Sequence, residues 1–524
     1  MRIGLLKKEY GWERVLNQEK VSWEIVNFNH IHDYSIFILN SLNISKDEID
    51  KIKSYLKEGG ALLTSTFALN KIMDHKKKIF KVYIKSLKGN GKLFRNIDKV
   101  NIYNYGYKIR NSNNSLVYTL RFGKGFVIAL PFDLNSLMLD ERSKKIYFSS
   151  PYAIPKENVS IVSKGNLRRL IVNCFYYLCS LKKIPYIHLW YYPNNYESVF
   201  CYRVDLDVFN RREIDNVIDV VKKNNVNLTW FLSVINNKDH FNGIKNLYKI
   251  NQSLQSHSYE HKVFSSLSNN YNNILKSNKF ISKVACQPVG FASPFGHWNK
   301  SLGMALEKLN YKYSSEFSLG YDDMPYYPFL NNRESKVMQL PIYPICIGSL
   351  AVRLYSKDKM KNYFYYLISM QYNKQMPLFL YDHPNGGIGA YPDVFDFVLK
   401  SIKKLDNVLI TDMTHFFEWW KKREEKKFKA YFVGKKLKIK TNNKDKKIYL
   451  RIVLPDYKEA RIPLKNQIIN MNLLKTKQIP VFNDKNFSDF DIIESKVFFS
   501  AFFLRVLFRS ALRRINHLIY IILK

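Results

Sequence analysis

Cysteine is scarce and unpatterned in this chain. Its five copies (Cys174, Cys179, Cys201, Cys286 and Cys346) are odd in number, scattered and without CxxC spacing. That argues against a disulfide framework and for a reducing compartment. Long apolar runs are missing too. Nothing approaches the ~18 uncharged apolar residues of a transmembrane helix, and the apolar run within Met1–Lys8 is too short for a signal-peptide core. A cytoplasmic location is the expectation. Acidic residues are few, 44 Asp and Glu against 83 Lys and Arg, for a net charge of +39. Such an excess invites a basic nucleic-acid-binding reading. Lys, Asn and Ile crowd the whole chain, however, which reads as compositional drift with solvated lysines, and no recognisable nucleic-acid module appears.

What is present suffices for several folded units. At 524 residues, 46% hydrophobic and 15% aromatic, the chain predicts two to four packed domains. Ser35–Asn40 is an apolar run of the buried-strand type. Ser45 begins a helix with Glu48 closing a capping box, Ile49, Ile52 and Leu56 share one face, Gly59-Gly60 stop it, and Ala61–Thr64 starts another strand. Gly123–Pro131 gives a turn and a further buried strand. Residues 1–185 therefore read as a three-layer, flavodoxin-like α/β unit. The pattern resembles the class I glutamine-amidotransferase-like fold. Active members of that family use a cysteine nucleophile, and no cysteine precedes Cys174, so the resemblance implies a non-catalytic relative serving as scaffold or oligomerisation unit.

Chemistry-bearing motifs fall between 186 and 425. Arg203-Val204-Asp205-Leu206-Asp207 places two carboxylates on one face of a strand, because the side-chain period is two. His257 and His261, in Ser256–His261, are four apart and would share one face if that segment is helical. Gly290–Gly296 contains a tight Pro294-Phe295-Gly296 turn, followed by His297 and Trp298. Leu380-Tyr381-Asp382-His383-Pro384 comes last, before a Gly-rich loop. Together they supply carboxylates, imidazoles and a turn, the parts of a metal-assisted hydrolase. His30, His32, His75, His188, His240, His415 and His517 show no converging ligand spacing.

In this order the motifs resemble the polysaccharide deacetylases, the NodB-homology family or carbohydrate esterase family 4, over about residues 195–420. The resemblance implies a distorted (β/α) barrel and a divalent metal, zinc being expected, that hydrolyses acetyl groups on a carbohydrate, N-acetyl ahead of O-acetyl. Asp207, His257 and His261 would ligate the metal, leaving positions open for water and substrate. Asp205 would be the catalytic base and His383 the general acid. Phe295 would stabilise the oxyanion through its main-chain amide. Pro294, His297, Trp298 and Asp382 are the expected substrate contacts, with packing an equal account of His297 and Trp298. Family members usually carry an arginine at the position of Ala292 to orient the base, and Arg203 is expected to fill that gap. The same departure keeps open a catalytically inactive carbohydrate-binding scaffold.

Residues 426–490 alternate polar and apolar positions in Lys436–Lys440 and Ile448–Leu454, suggesting a small β module. From 491 to 524 a basic amphipathic helix is expected. Arg505, Arg509 and Arg513 form one stripe, and residues 496–524 could rest on an anionic membrane or dock on the protein. Peripheral contact with the inner membrane face would suit an enzyme of surface-polysaccharide or lipid-linked glycan assembly. A homo-oligomer is left open.

Overall fold

The computed structural model describes residues 1–72, 79–110, 116–148, 155–434 and 436–482. The expected terminal helix at 491–524, with its arginine stripe, lies outside the described residues. No helix among the described residues is long and apolar enough to cross a membrane.

The N-terminal unit is built on a six-stranded sheet in the spatial order Trp23–Ile25, Ile3–Leu5, Ile36–Leu39, Ala61–Ser65, Gly125–Leu130, Tyr118–Phe122. The first five are parallel and the last is antiparallel. Numbered along the chain, the parallel strands run 2-1-3-4-5, the flavodoxin-like order. Ile36–Leu39 is buried at every position, as a parallel strand covered on both faces requires. The helix Lys46–Lys57 opens with Ser45 Oγ accepting from the Glu48 amide and Glu48 accepting from the Ser45 amide. Two further helices matter below: α1 (Tyr10–Glu19) and α2 (Lys164–Leu181).

The second unit is a curled parallel sheet of eight strands. These are β1 (Ser198–Leu206), β2 (Thr229–Leu232), β3 (Ser253–Ser256), β4 (Gly290–Phe291), β5 (Tyr313–Ser314), β6 (Met338–Gln339), β7 (Leu378–Asp382) and β8 (Val408–Ile410). The spatial order is β6-β5-β4-β3-β2-β1-β7, and β8 pairs with the start of β1. Helices alternate with the strands, as parallel crossovers favour, except between β5 and β6, which are joined through the hairpin Phe329–Leu330/Arg333–Glu334. Among the described residues β6 and β7 form no ladder, so the sheet is an open half-barrel. Every residue of β1 is buried, including Arg203 and Asp205. That centre is polar, so its groups must satisfy one another.

The β module does form, as two sheets. Phe428–Val433, Lys436–Thr441 and Gln467–Asn470 make one. Tyr449–Val453, Lys458–Pro463 and Lys477–Gln478 make the other, and it recruits Tyr186–Leu189 as an antiparallel edge. The first residues assigned from sequence to the barrel region thus belong structurally to this sheet.

Candidate metal centre

The motif residues meet at the C-terminal ends of the parallel strands, where loops of such sheets gather catalytic groups. Asp207 follows β1, His257 and His261 follow β3, Pro294-Phe295-Gly296 follows β4, and His383 follows β7. Asp207 Oδ1 lies 3.3 Å from His257 Nε2 and 3.2 Å from His261 Nε2. The two imidazole nitrogens are 3.1 Å apart. Asp207 Oδ2 is 3.5 Å from His383 Nε2.

The two histidines converge for a different reason from the one their spacing suggests. Residues 257–261 form no helix. His257 leaves the end of β3, and Ser258 turns the chain with φ +68°. Asn273, from the helix Leu267–Val284, staples that turn: its Oδ1 accepts from the Glu260 amide at 2.7 Å, and its Nδ2 donates to the Glu260 and Lys262 carbonyls. Sequence reasoning missed Asn273, since an asparagine inside a helix carries no signal of a contact to a preceding loop.

A metal fits these residues. His257 Nδ1 sits 2.7 Å from the Ala292 carbonyl. A carbonyl only accepts, so the ring proton is on Nδ1 and the Nε2 lone pair points to the centre. Asp207 Oδ1 is buried there without a hydrogen-bond partner. A tetrahedral ion with bonds of about 2.0–2.1 Å would hold its ligands about 3.3 Å apart. The three edges match that spacing, and a cation satisfies the orphaned oxygen and both lone pairs together. Burial resists ionisation of Asp207, but His257, His261 and His383 outweigh it and hold the carboxyl well below the usual carboxylate range.

Beside this triad, Arg203 holds Asp205 in a closed fork, Nε to Oδ1 at 2.7 Å and Nη2 to Oδ2 at 2.6 Å. Its Nη1 donates to the Ser315 carbonyl at 2.6 Å. The guanidinium also lies over the rings of Phe231 and Tyr381, 5.5 and 5.4 Å from their centroids. Burial opposes the charge on Asp205, yet Arg203 outweighs it and lowers the pKa. Ala292, fully buried, contributes only its main chain.

In the turn, Phe295 and Gly296 take φ +58° and +61°. The Phe295 ring is 65% exposed and stands 4.7 Å from the His261 ring. A Cβ on Gly296 would come within 2.3 Å of the Phe317 ring, so this residue must be glycine on two counts. His297 is exposed near Phe295. Trp298 packs instead on the cluster of Ile274, Phe291 and Leu302, which makes Phe295 the exposed aromatic at the centre.

Asp382 departs from its expected place against substrate. It is fully buried, and its carboxylate accepts from the amides of Ile347 at 2.6 Å and His383 at 2.8 Å. Burial pushes its acid up to about 6. Its role is to tie the His383 backbone to the helix Ile347–Val352. Cys346, in the same cluster, accepts from the Ser349 amide, and burial raises its thiol well above the usual range. Two acids escaped the sequence reading. Glu316 is buried after β5 with neither carboxylate oxygen hydrogen-bonded, and burial pushes it up to about 8. Glu157 comes from the N-terminal half; burial raises its pKa while the charges of Arg353, Lys145 and His383 oppose the rise.

Residues 206–314 match the family model described as polysaccharide deacetylase. The match takes in Asp207, His257, His261 and the Pro294–Gly296 turn, and it leaves residues 1–185, read as glutamine-amidotransferase-like, without a counterpart. No curated protein sequence matches the chain. Among solved structures, one named as a polysaccharide deacetylase from Mycobacterium smegmatis is 14% identical over 44% of this chain and 93% of its own, with a TM-score of 0.38. A family 4 carbohydrate esterase from Streptomyces lividans, in complex with acetate, is 10% identical over 41% and 92%, TM-score 0.30. A family 4 pseudoenzyme from Bacillus anthracis is 15% identical over 43% and 68%, also with a TM-score of 0.30. From the end of β1 to β5, the half-barrel of this chain matches the polysaccharide deacetylase family model.

Proposed function

We propose that the protein is a metal-dependent carbohydrate deacetylase acting on N-acetyl groups. The observation that carries this reading is the spacing of Asp207 Oδ1, His257 Nε2 and His261 Nε2 around a buried carboxylate oxygen that lacks a hydrogen-bond donor. A divalent ion held there, zinc by the chemistry of an Asp-His-His set, would supply Lewis acidity and lower the pKa of a nearby water.

The chain's own residues then divide the work. Asp205, ionised and aimed by Arg203, takes the proton of the attacking water. The Phe295 amide donates to the acetyl oxygen as it gains negative charge. His383 returns a proton to the leaving nitrogen, giving acetate and a free amine. An amine departs poorly without that proton, whereas an alcohol leaves more readily, and this favours the N-acetyl assignment. His297 and the exposed face of Phe295 are placed to meet sugar rings. Cytoplasmic glycan assembly beside a membrane, and a scaffolding or self-associating N-terminal unit, complete the proposal.

The test pairs metal analysis with acetate release from penta-N-acetylchitopentaose. One ion per chain and turnover in the wild type, with turnover lost in Asp205→Asn and the ion lost in Asp207→Ala/His257→Ala, is expected. Buried Ala292, with no side chain to orient the base, favours the second reading, a silent carbohydrate-binding scaffold. A bound ion without hydrolysis of any acetylated sugar would establish that reading instead.

A further inference from the structure

The segment after β5 serves two masters within nine residues. At its start, the Ser315 carbonyl receives Arg203 Nη1, the Phe317 ring fills the space beside Gly296, and the Ser318 amide donates to the Gly296 carbonyl at 3.1 Å. These contacts touch both the fork that aims Asp205 and the turn that carries the Phe295 amide. At its end, the same segment is gripped by the N-terminal unit. The Ser160 amide donates to the Phe317 carbonyl at 3.1 Å, and Lys164 Nζ donates to the Leu319 carbonyl at 2.8 Å. The first amides of α2, Gly165 and Asn166, donate to the two carboxylate oxygens of Asp322, each at 3.1 Å. Asp323 is clasped between Arg14 of α1 at 2.6 Å and Arg168 of α2 at 2.9 Å. Arg14, Lys164, Arg168 and Asp323 are all at most 3% exposed. A Cβ on Gly165 would collide with the Asp322 carbonyl at 1.6 Å, so α2 meets this loop at the closest approach a backbone allows.

We propose that the N-terminal unit is a positioning element for catalysis: by clamping Leu319–Asp323 through α1 and α2, it fixes the Ser315 carbonyl and the Phe317 ring, and through them Asp205 and the oxyanion turn. Lys164, Asp322 and Asp323 are its positioning residues. The proposal rests on the roles given above to Asp205 and Phe295. One contact holds α2 without reaching this loop. Ser180, near its C-terminal end, donates to the Pro455 carbonyl of the β module at 2.7 Å. It provides the control.

The experiment compares full-length Lys164→Met and Asp322→Asn with Ser180→Ala. Lys164→Met keeps the buried aliphatic stem and removes only the grip on Leu319. The readouts are kcat and KM on penta-N-acetylchitopentaose at saturating zinc, bound zinc, and hydrogen–deuterium exchange over residues 290–299, which none of these side chains touches. The expected result is a fall in kcat of about tenfold or more with KM and zinc unchanged, and faster exchange at 294–296, in both clamp variants but not in Ser180→Ala. Unchanged exchange at 290–299 in both clamp variants would overturn the proposal, as would equal effects in Ser180→Ala. Exchange is read whether or not the wild type turns over an acetylated sugar, so failure of the hydrolase reading is seen separately.

Discussion

Arg203 and Asp205, two residues apart on β1, face each other as a closed bidentate pair with both hydrogen bonds at or below 2.7 Å and both side chains excluded from solvent. A charge pair so buried is bistable in the thermodynamic sense: complete it is tolerated, halved it is costly.

Arg203→Ala is accordingly expected to lower deacetylation at least about a hundredfold and to destabilise the fold by about 3–5 kcal/mol, with zinc content unchanged. Arg203→Lys keeps the charge and loses the fork, so its rate should also fall at least about tenfold while its melting temperature suffers less. Acetate release and thermal melts separate the two effects. A wild-type rate in Arg203→Ala would show that Asp205 needs no such partner.

Zinc should raise the melting temperature of the wild type. Free ion at a thousand times its Kd contributes about 4 kcal/mol to the folded state. Asp207→Ala removes the shared oxygen and should abolish both the shift and the bound metal, measured by calorimetry and elemental analysis. An undiminished shift in that variant would move the site elsewhere, with the Cys346–Asp382–His383 cluster the next to examine.

Glu316 gives the protein a pH signature. Burial raises its pKa from 4.5 to about 8, so the folded state keeps a proton that the unfolded chain has released. Its contribution to stability is whole below about pH 4.5 and is lost as pH rises through about 8, at roughly 1.4 kcal/mol per unit. Glu316→Gln should be near neutral at pH 4 and more stable than wild type at pH 9. Parallel denaturant curves for the two proteins at both pH values would refute this.

The Pro294–Gly296 turn, with the oxyanion role proposed for it, separates side chain from main chain. Phe295→Ala leaves the amide in place, so kcat should stay within about tenfold of wild type. Gly296→Ala forces a Cβ into the Phe317 ring at positive φ and should cost about 1–3 kcal/mol of stability together with most of the activity. A kcat as low in Phe295→Ala as in Gly296→Ala would assign the ring a direct role.

Local pattern carried much of this into view. The buried runs at 36–39 and 61–65, the Ser45 capping box, and the alternation that points Arg203, Asp205 and Asp207 the same way are all nearest-neighbour effects. Alternation also explains the misplacement of Asp382: next to His383 on extended chain, it must face away from the residue beside it. The histidine pair was legible as a pair, but its geometry depends on Ser258 in the left-handed region and on Asn273 from another element. Glu316, Glu157 and the grip of α1 and α2 on Asp322-Asp323 join residues far apart in the chain, and no window of sequence contains them.

The edge strand Tyr186–Leu189 has a consequence for biogenesis. Its partner, Tyr449–Val453, is synthesised only after the whole half-barrel. At ~5–20 residues per second the strand waits ~10–50 s on the ribosome with its pairing edge open. A chain cut before Tyr449 would keep that edge open permanently, an invitation to cross-chain pairing. Shortened versions of this protein should therefore fail by aggregation rather than by loss of any catalytic group.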